Sequence, residues 1–217
     1  MKSKIARQAV VLLSGGLDSA TVLYLAKRRG YLCHCLIFDY GQLHKKEIAS
    51  AIKIAKACAA AYKVLKIDFP WKGSALIDKK IKVPSKISRG VPVTYLPGRN
   101  IIFLSFALSF AETIKAQAIF IGAHAQDYSG YPDCRPEFLK AFSKMAKSGT
   151  LGKFNILAPL LHKNKSQIIL LGKKLKVPFN LTWSCYRGGS QPCRKCDSCY
   201  YRAKGFKEAG VIDTLIK

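Results

Sequence analysis

The chain has 217 residues, of which 49% are apolar and 23% are charged. This length and composition exclude a collagen, a disordered tail and a mini-protein, and they indicate one globular domain with a substantial core. A total of 37 Lys and Arg against 12 Asp and Glu gives a formal net charge of +25, which attracts anions such as nucleotides or nucleic acid. The lysines are spread along the chain, so compositional bias is an equal explanation.

Hydrophobic periodicity predicts alternating strands and helices. Residues 9–13 form a short apolar run that stops at Ser14-Gly15-Gly16, the pattern of a buried parallel strand ending in a turn. The alternation continues with strands at 32–38, 63–67 and 118–121 and helices at 18–29, 45–60 and 99–115. It predicts an α/β fold, a doubly wound, mostly parallel sheet with helices on both faces. Ligands of such sheets bind beyond the carboxyl ends of the strands.

Two segments depart from the alternation. Residues 69–97 contain four prolines and a Lys-rich middle, and their length indicates a functional loop or a mobile lid. Beyond residue 179 the alternation gives way to clustered cysteines and a short helix near 200–209. The apolar runs at 9–13 and 101–111 are too short for a signal peptide and a membrane span, respectively. We therefore expect a cytoplasmic protein, in which clustered cysteines bind metal or do redox chemistry.

A candidate phosphate-binding loop lies between the first strand and the first helix, with the sequence Ser14-Gly15-Gly16-Leu17-Asp18-Ser19. Free backbone N–H groups and the helix dipole favour an anion there. The two glycines let the backbone approach phosphate, and the serines add hydroxyl donors. Asp18 would repel phosphate unless a divalent cation such as Mg²⁺ lies between them. The alternative is an ordinary capped turn, which the same residue types favour.

Four cysteines lie within fifteen positions near the C-terminus: Cys185, Cys193, Cys196 and Cys199. Four thiolates fit a closed tetrahedral Zn²⁺ site, which is structural because it leaves no open coordination position. The alternative is a C-x-x-C redox pair, although such pairs usually lack two further cysteines. We therefore divide the chain into an α/β domain at 1–180 and a small zinc-binding extension of that domain at 181–217.

A third cluster of polar residues directly follows the fourth predicted strand, with the sequence Asp127-Tyr128-Ser129-Gly130-Tyr131-Pro132-Asp133-Cys134-Arg135-Pro136-Glu137-Phe138. Three acids, two tyrosines and an arginine at a strand end indicate a substrate site. The alternative is a tyrosine-rich turn that caps a helix, with Pro136 as its first residue and Glu137 in its first turn.

The loop at 14–19 resembles the pyrophosphate loop of the N-type ATP pyrophosphatases. Four segments together resemble one family among them, the 7-cyano-7-deazaguanine synthases. These segments are the loop, the run Leu96-Pro97-Gly98-Arg99-Asn100, the run at 127–138 and the cysteine segment at 182–202. The resemblance extends from about residue 10 to 206. Arg194 departs from it, because a glycine is common there and glycine accepts a positive φ.

The resemblance implies an adenine nucleotide alpha hydrolase-like fold and an ATP-dependent ligase that converts 7-carboxy-7-deazaguanine and ammonia to 7-cyano-7-deazaguanine, a precursor of queuosine and archaeosine. A first ATP would adenylate the carboxylate, which ammonia turns into an amide, and a second ATP would activate the amide oxygen. Catalysis would then consist of positioning and electrostatic stabilisation. The resemblance also suggests a homodimer, with no membrane or nucleic-acid partner expected.

The candidate site residues fall into four groups. The catalytic candidates are Arg99 and Lys165, for charge stabilisation, and Asp18, for holding Mg²⁺. The ATP-binding candidates are Leu13, Ser14, Gly15, Gly16, Leu17, Asp18, Ser19 and His44. The candidates for binding the deazaguanine are Asp127, Tyr128, Tyr131, Asp133, Arg135 and Glu137. The structural Zn²⁺ would bind the four cysteines.

Two alternative functions fit the basic charge. A tRNA-modifying ATP pyrophosphatase would need a reactive cysteine beyond the zinc ligands, and Cys134 is the one near a candidate site. A non-catalytic zinc-ribbon protein that binds nucleic acid is supported by the basic charge alone.

Overall fold

The computed structural model describes residues 7–85, 90–124 and 130–216. Within them, five parallel strands form one sheet in the order β3-β2-β1-β4-β5: β1 (Arg7–Leu12), β2 (Tyr31–Asp39), β3 (Ala61–Lys66), β4 (Ala118–Phe120) and β5 (Asn155–Leu157). The α-helices of these residues are α1 (Leu17–Arg28), α2 (Lys46–Ala57), α3 (Arg99–Thr113), α4 (Pro136–Gly149), α5 (Lys165–Lys174) and α6 (Asp197–Glu208). This architecture confirms the predicted α/β class.

The sheet has a hydrophobic core on each face. Alternate residues of β1 point to opposite faces, so Ala9 and Val11 join one core and Val10 and Leu12 join the other. Residues of α1, α2, α5 and α6 complete the first core, and residues of α3 and α4 complete the second. Because both faces are covered, the central strands are continuous apolar runs, as the sequence predicts for a buried parallel sheet.

The candidate functional site lies in a crevice between β1 and β4, where the strand order reverses. β1 pairs with β2 on one side and with β4 on the other, so the connections from these strands depart to opposite faces. Ligand sites of open α/β sheets lie at this point. The predicted elements are all present, with ends shifted by at most three residues. In contrast, β5 and α5 have no counterpart among the predicted elements, and α4 is predicted only as the helix of the alternative interpretation at Pro136. β5 has three residues and is partly exposed, so it has no periodicity to detect.

The segment between β3 and α3 is anchored to the second core. Phe69, Leu76 and Leu96 are buried there, and the backbone N–H of Ala75 donates to the carbonyl of Val93 at 2.8 Å. The described parts of this segment contain no helix or strand. The function of residues 69–97 as a lid remains a prediction.

Among the helices of the described residues, none has the length and apolar character needed to cross a bilayer.

The C-terminal segment is held to the domain by a buried cation in α6. The Arg202 guanidinium is 3% exposed and donates to both carboxylate oxygens of Asp213, at 2.6 and 2.8 Å. It also donates to the carbonyl of Phe179 at 3.1 Å and to the hydroxyl of Thr182 at 2.8 Å. A buried charge is tolerated only when it is paired and hydrogen-bonded, so Arg202 fixes the chain on both sides of α6.

Arg202→Met removes this cation and leaves the Asp213 carboxylate buried without its partner. We expect a loss of about 3–5 kcal/mol in the free energy of unfolding, because breaking a buried pair leaves an uncompensated charge. Urea denaturation measures the loss. The control Lys204→Met, on the same helix, removes the exposed pair with Glu208 and should cost about 0.5 kcal/mol or less. Equal losses in the two variants would contradict the structural role of Arg202.

Candidate active site

The loop between β1 and α1 is held by its own hydroxyl groups. The Ser19 hydroxyl accepts from the backbone N–H of Ser14 at 3.2 Å and lies 3.0 Å from the Ser14 hydroxyl. It also donates to the carbonyl of Gly16 at 3.1 Å, and the Gly16 N–H donates to the Ser14 hydroxyl at 3.3 Å. Gly16 precedes α1, and no side chain caps this helix. The N-terminal backbone of α1 is therefore available to an anion.

Gly15 is the most constrained residue of the loop. Its φ is +85°, and a Cβ at this position would lie 2.3 Å from the carbonyl oxygen of Glu47 in α2. The Gly15 carbonyl accepts a hydrogen bond from the backbone N–H of Trp183 at 2.9 Å. The loop is therefore packed between α2 and the segment that leads to the cysteines, and only glycine fits.

Asp18 lies in the first turn of α1 and is paired with Lys165 from the start of α5. The Lys165 ammonium donates to both Asp18 oxygens, at 2.8 and 2.9 Å, and to the Nε2 atom of His124 at 2.9 Å. Burial raises the pKa of Asp18, but Lys165 and His124 outweigh this effect and lower the pKa well below its ordinary value. The structure thus joins two predicted catalytic residues, Asp18 and Lys165, and adds His124.

Two cavities open beyond the carboxyl ends of the strands and meet at Asp18. The first cavity, of about 230 Å³, is bounded by the loop, the end of β2 and the starts of α2 and α3. The second cavity, of about 150 Å³, lies on the other side of Asp18, next to α5 and α6. Five residues line both: Asp18, Tyr131, Ser184, Tyr186 and Ser198. A ligand in each cavity would therefore meet the other at Asp18.

Carboxyl and phenol groups, partly or fully buried, surround Arg99 in the first cavity. Burial raises the pKa of Glu47 to about 7, although Arg99 opposes this shift. Burial also raises the pKa of Tyr40 to about 12 and that of Tyr186 well above its ordinary value. Burial lowers the pKa of Arg99, but the neighbouring tyrosines and Glu47 outweigh this effect and raise it. Arg99 is therefore a permanent cation in the wall of the first cavity.

The predicted deazaguanine-binding residues do not all reach the cavities. Tyr131 lines both cavities, and its hydroxyl lies 3.1 Å from the Thr94 hydroxyl. Asp133 is buried, and its carboxylate accepts from the backbone N–H of Asn100 at 2.8 Å, so it caps α3, whose own cap residue is Gly98.

Arg135 and Glu137 are exposed at the start of α4, outside the walls that the described residues form. Pro136 is the first residue of α4, as the alternative reading of this run predicts. Asp127 and Tyr128 lie outside the described residues. The deazaguanine-binding roles of Asp133, Arg135, Glu137, Asp127 and Tyr128 remain predictions.

His44 lies against the cysteine segment instead of the described cavity walls. A Cβ on Gly188 would lie 2.2 Å from the Cβ of His44, so the turn at Gly188 closes directly over the histidine. Burial lowers the pKa of His44, whereas the nearby Cys185 opposes this shift. Sequence proximity to the end of β2 predicts a position near ATP, but the tertiary packing of 185–190 covers this side chain. Its role in ATP binding remains a prediction.

The four predicted metal ligands converge. The Sγ atoms of Cys185, Cys193, Cys196 and Cys199 all lie within 4.8 Å of one another, and such a cluster could hold a metal ion. Backbone N–H groups also point at the sulfurs, and the Cys193 N–H donates to the Cys185 Sγ at 3.3 Å. Four convergent thiols with N–H donors around them fit a tetrahedral thiolate site.

Arg194 adopts the conformation for which glycine is suited. Its φ is +57°, between the second and third cysteines, so the turn requires the left-handed region whatever the residue. The Arg194 side chain is exposed and fills no space inside the cluster. Arginine in place of the common glycine at position 194 therefore leaves the geometry of the four sulfurs intact.

Several cavity residues are outside the predicted set. Glu47, Trp183, Tyr186 and Asp197 line one or both cavities. The sequence could have indicated the two acids. Acidic residues are rare in this chain, with 12 against 37 basic residues, so an acid next to a motif is a candidate functional residue. No comparable local signal distinguishes Trp183 or Tyr186 from a core residue.

Comparison with known proteins identifies the family. The model of the Queuosine biosynthesis protein QueC family matches residues 8–210. The chain is 52% identical over 216 residues to the 7-cyano-7-deazaguanine synthase of Acetivibrio thermocellus, covering 96% of this chain and 97% of that protein. It is 48% identical over 221 residues to the enzyme of the same name from Nostoc punctiforme, covering 96% and 99%. The chain belongs to the QueC family.

Solved structures of other enzymes share the fold of this QueC family member. NMN synthetase from Francisella tularensis has a TM-score of 0.55 at 17% identity, covering 96% of this chain and 79% of that one. The U34-tRNA thiolase NcsA from Methanococcus maripaludis has a TM-score of 0.51 at 16% identity, covering 95% and 68%. These similarities confirm the expected fold class. Identities this low carry no conclusion about substrate.

The raised pKa of Glu47 predicts a pH-dependent stability. The carboxyl titrates near 4.5 in the unfolded chain and near 7 in the folded one, so the folded state binds the proton more tightly. Its contribution to stability is full below the unfolded pKa and is lost as the pH rises through the folded pKa. Glu47→Gln mimics the neutral form, so the variant should gain stability over the wild type between about pH 5 and about pH 8.

Urea denaturation across this pH range measures the difference between the Glu47→Gln variant and the wild type. The exposed Glu208 on α6 provides the control Glu208→Gln. A stability difference for Glu47→Gln that stays constant with pH would show that the folded-state carboxyl titrates as it does in the unfolded chain.

Proposed function

We propose that the chain is an ATP-dependent ligase that converts 7-carboxy-7-deazaguanine and ammonia to 7-cyano-7-deazaguanine. Membership in the QueC family assigns the chain to queuosine-precursor biosynthesis, and its curated relatives are named 7-cyano-7-deazaguanine synthase. The observation that carries the proposal is the meeting of two cavities at the Asp18–Lys165 pair. A nucleotide in one cavity and a carboxylate substrate in the other would place both reactants at the same charged pair.

In the proposed complex, ATP occupies the first cavity, with its phosphates at the N-terminus of α1. Ser14, Gly16 and Ser19 line this cavity and offer hydroxyl and backbone donors. Arg99 and Lys165 stabilise the negative charge that builds up when the α-phosphate is attacked. Asp18 is the residue that would hold Mg²⁺, which supplies further neutralisation of phosphate charge.

The proposed reaction uses two ATP molecules. The substrate carboxylate attacks the α-phosphate of the first ATP and releases pyrophosphate, giving an acyl adenylate. Ammonia displaces AMP and loses a proton, giving an amide. The amide oxygen then attacks the α-phosphate of the second ATP and again releases pyrophosphate. Loss of AMP and of both N–H protons leaves the nitrile. No enzyme nucleophile takes part, so the protein acts by positioning and electrostatics.

We also propose that the four cysteines hold a structural Zn²⁺ in the extension at 181–217 of the α/β domain at 1–180. This metal would fix the turn that carries Cys185, whose backbone carbonyl accepts from the Trp183 indole N–H at 2.9 Å. The backbone N–H of Trp183 in turn donates to the carbonyl of Gly15 in the phosphate loop.

We further propose that the protein is a homodimer and that it acts without a nucleic-acid partner, since its substrates are small molecules. We propose the cytoplasm as its compartment, because free thiolates require a reducing environment.

The two alternative functions have less support. Thiolation of tRNA would require a reactive cysteine, but Cys134 is buried and its sulfur accepts from the Asn100 amide at 3.1 Å. A non-catalytic nucleic-acid binder would have no use for the loop at the N-terminus of α1 or for the Asp18–Lys165 pair.

Mass spectrometry of both product classes tests the reaction. Purified protein incubated with ATP, Mg²⁺, ammonium and 7-carboxy-7-deazaguanine should produce the nitrile together with AMP. Lys165→Met should lower kcat by about 100-fold or more, because it removes a cation from the attacked phosphate. Lys173→Met, at the exposed end of α5, is the matched control. Absence of both products from folded wild-type protein would refute the ligase assignment.

Metal analysis tests the structural site. We expect about one zinc ion per chain, and removal by a chelator should lower the melting temperature, because metal binding contributes to folding. Cys196→Ala should abolish retention of the metal. Cys58→Ala, which alters a buried cysteine outside the cluster, should retain it. A metal-free preparation with the melting temperature of the loaded protein would argue against a structural role.

A further inference from the structure

The proposed reaction assigns no role to His124, a buried histidine next to the Asp18–Lys165 pair. His124 lies beyond the end of β4 and is 4% exposed, and it lines the second cavity together with Lys165. Its Nε2 atom lies 2.9 Å from the Lys165 ammonium and 3.5 Å from a carboxylate oxygen of Asp18. The shorter of the two distances makes Lys165 the closer partner of this nitrogen.

The direction of this hydrogen bond follows from the number of donors on Lys165. An ammonium has three N–H donors and no acceptor, and the two carboxylate oxygens of Asp18 accept two of these donors, at 2.8 and 2.9 Å. The third N–H is therefore directed to Nε2 of His124, which accepts it with its lone pair. A ring nitrogen that accepts carries no proton, so the ring proton of His124 lies on Nδ1.

Close packing fixes both partners of this hydrogen bond. A Cβ on Gly205 of α6 would lie 2.4 Å from the Cγ atom of Lys165, so the lysine stem packs directly against this helix. A Cβ on Gly122 would lie 3.2 Å from the backbone nitrogen of Ser19, so the chain that leads to His124 runs against the start of α1. The ammonium of Lys165 therefore has a packed stem, an anionic partner and a neutral partner.

We propose that His124 is a positioning residue that holds the Lys165 ammonium toward the attacked phosphate by accepting one of its N–H groups at Nε2. This inference rests on the proposed function. In that function Lys165 gives an N–H to phosphate and Asp18 holds Mg²⁺, so the contacts between Asp18 and Lys165 weaken when ATP binds. The contact with His124 stays. Because a neutral imidazole does not cancel the charge of the ammonium, it orients Lys165 without reducing the stabilisation of the phosphate.

Two substitutions of His124 give the first test. His124→Leu removes the acceptor, whereas His124→Gln places an amide oxygen near the position of Nε2. We expect His124→Leu to lower kcat about 10-fold, because a misplaced catalytic group costs rate, with a KM for ATP within about twofold of the wild type. His124→Gln should keep kcat within about threefold of the wild type, because it retains the acceptor.

His162→Leu, at an exposed histidine, is the matched control and should keep the wild-type kcat and KM. Wild-type kcat in His124→Leu would overturn the inference. Equal losses of kcat in folded His124→Leu and His124→Gln would overturn it as well, because the acceptor would then have no effect.

The double variant with Lys165→Met gives the second test, with a readout that a merely structural role would not move. If His124 acts through Lys165, adding His124→Leu to Lys165→Met should lower kcat by less than about twofold further, since the cation that it positions is already absent. A further loss as large as the loss in the wild-type background would show that His124 acts independently of Lys165. That result would overturn the inference.

Nitrogen NMR of the wild-type protein, with isotope-labelled histidine, decides if the His124 variants fail to fold. The Nε2 atom of His124 should give the signal of an unprotonated nitrogen at pH values where an ordinary histidine is neutral. Lys165→Met should shift this signal, which identifies it among the four histidines. A protonated Nε2 in an active enzyme would overturn the positioning role alone. A wild-type protein that makes neither nitrile nor AMP would instead overturn the ligase function, and the positioning role with it.

Discussion

The backbone of Gly15 is the point on which the arrangement of the site depends. Its left-handed φ of +85° turns the chain from β1 into α1, and the missing side chain lets α2 approach to a distance that a Cβ would prevent. The Gly15 carbonyl meanwhile binds the segment that leads to the cysteines. Three parts of the chain therefore meet at one residue, and any side chain there would separate them.

Charge is organised differently in the site and on the surface. The chain is strongly basic, yet the cavity walls contain acids beside bases. Asp18 forms an ion pair with Lys165, and Glu47 lies close enough to Arg99 for each to shift the pKa of the other. Buried charges interact more strongly than solvated ones because the surrounding dielectric is lower. These groups are held in place before any ligand enters, which is what electrostatic stabilisation of a phosphoryl-transfer reaction requires.

Two independent attachments hold the C-terminal segment against the site. The cysteine cluster brings residues 185–199 together, and the buried Arg202 binds both the chain at 179–184 and Asp213. Between these attachments lie Trp183, Ser184 and Tyr186, which line the cavities. The segment after residue 180 is therefore part of the site wall and also contains the cysteine cluster that could hold a metal ion.

Local patterns in the sequence were enough to predict the fold class and the convergence of the four cysteines. A continuous apolar run ending in Ser14-Gly15-Gly16 defines a buried strand and its turn, because the information lies within a few residues. The same holds for the cysteines, whose spacing within fifteen positions limits how far apart the sulfurs can be. The short strand β5 was missed because three partly exposed residues carry no periodicity.

The placement of individual side chains was decided only by tertiary structure. Asp133 caps α3 from a distant segment, His44 packs under the turn at Gly188, and Glu47 and Tyr186 meet near Arg99. Each contact joins residues more than thirty positions apart in the chain. The sequence by itself determined which elements form and which residue types border the strand ends. Which of those residues face the cavities depends on how the loops pack, and no local pattern records that packing.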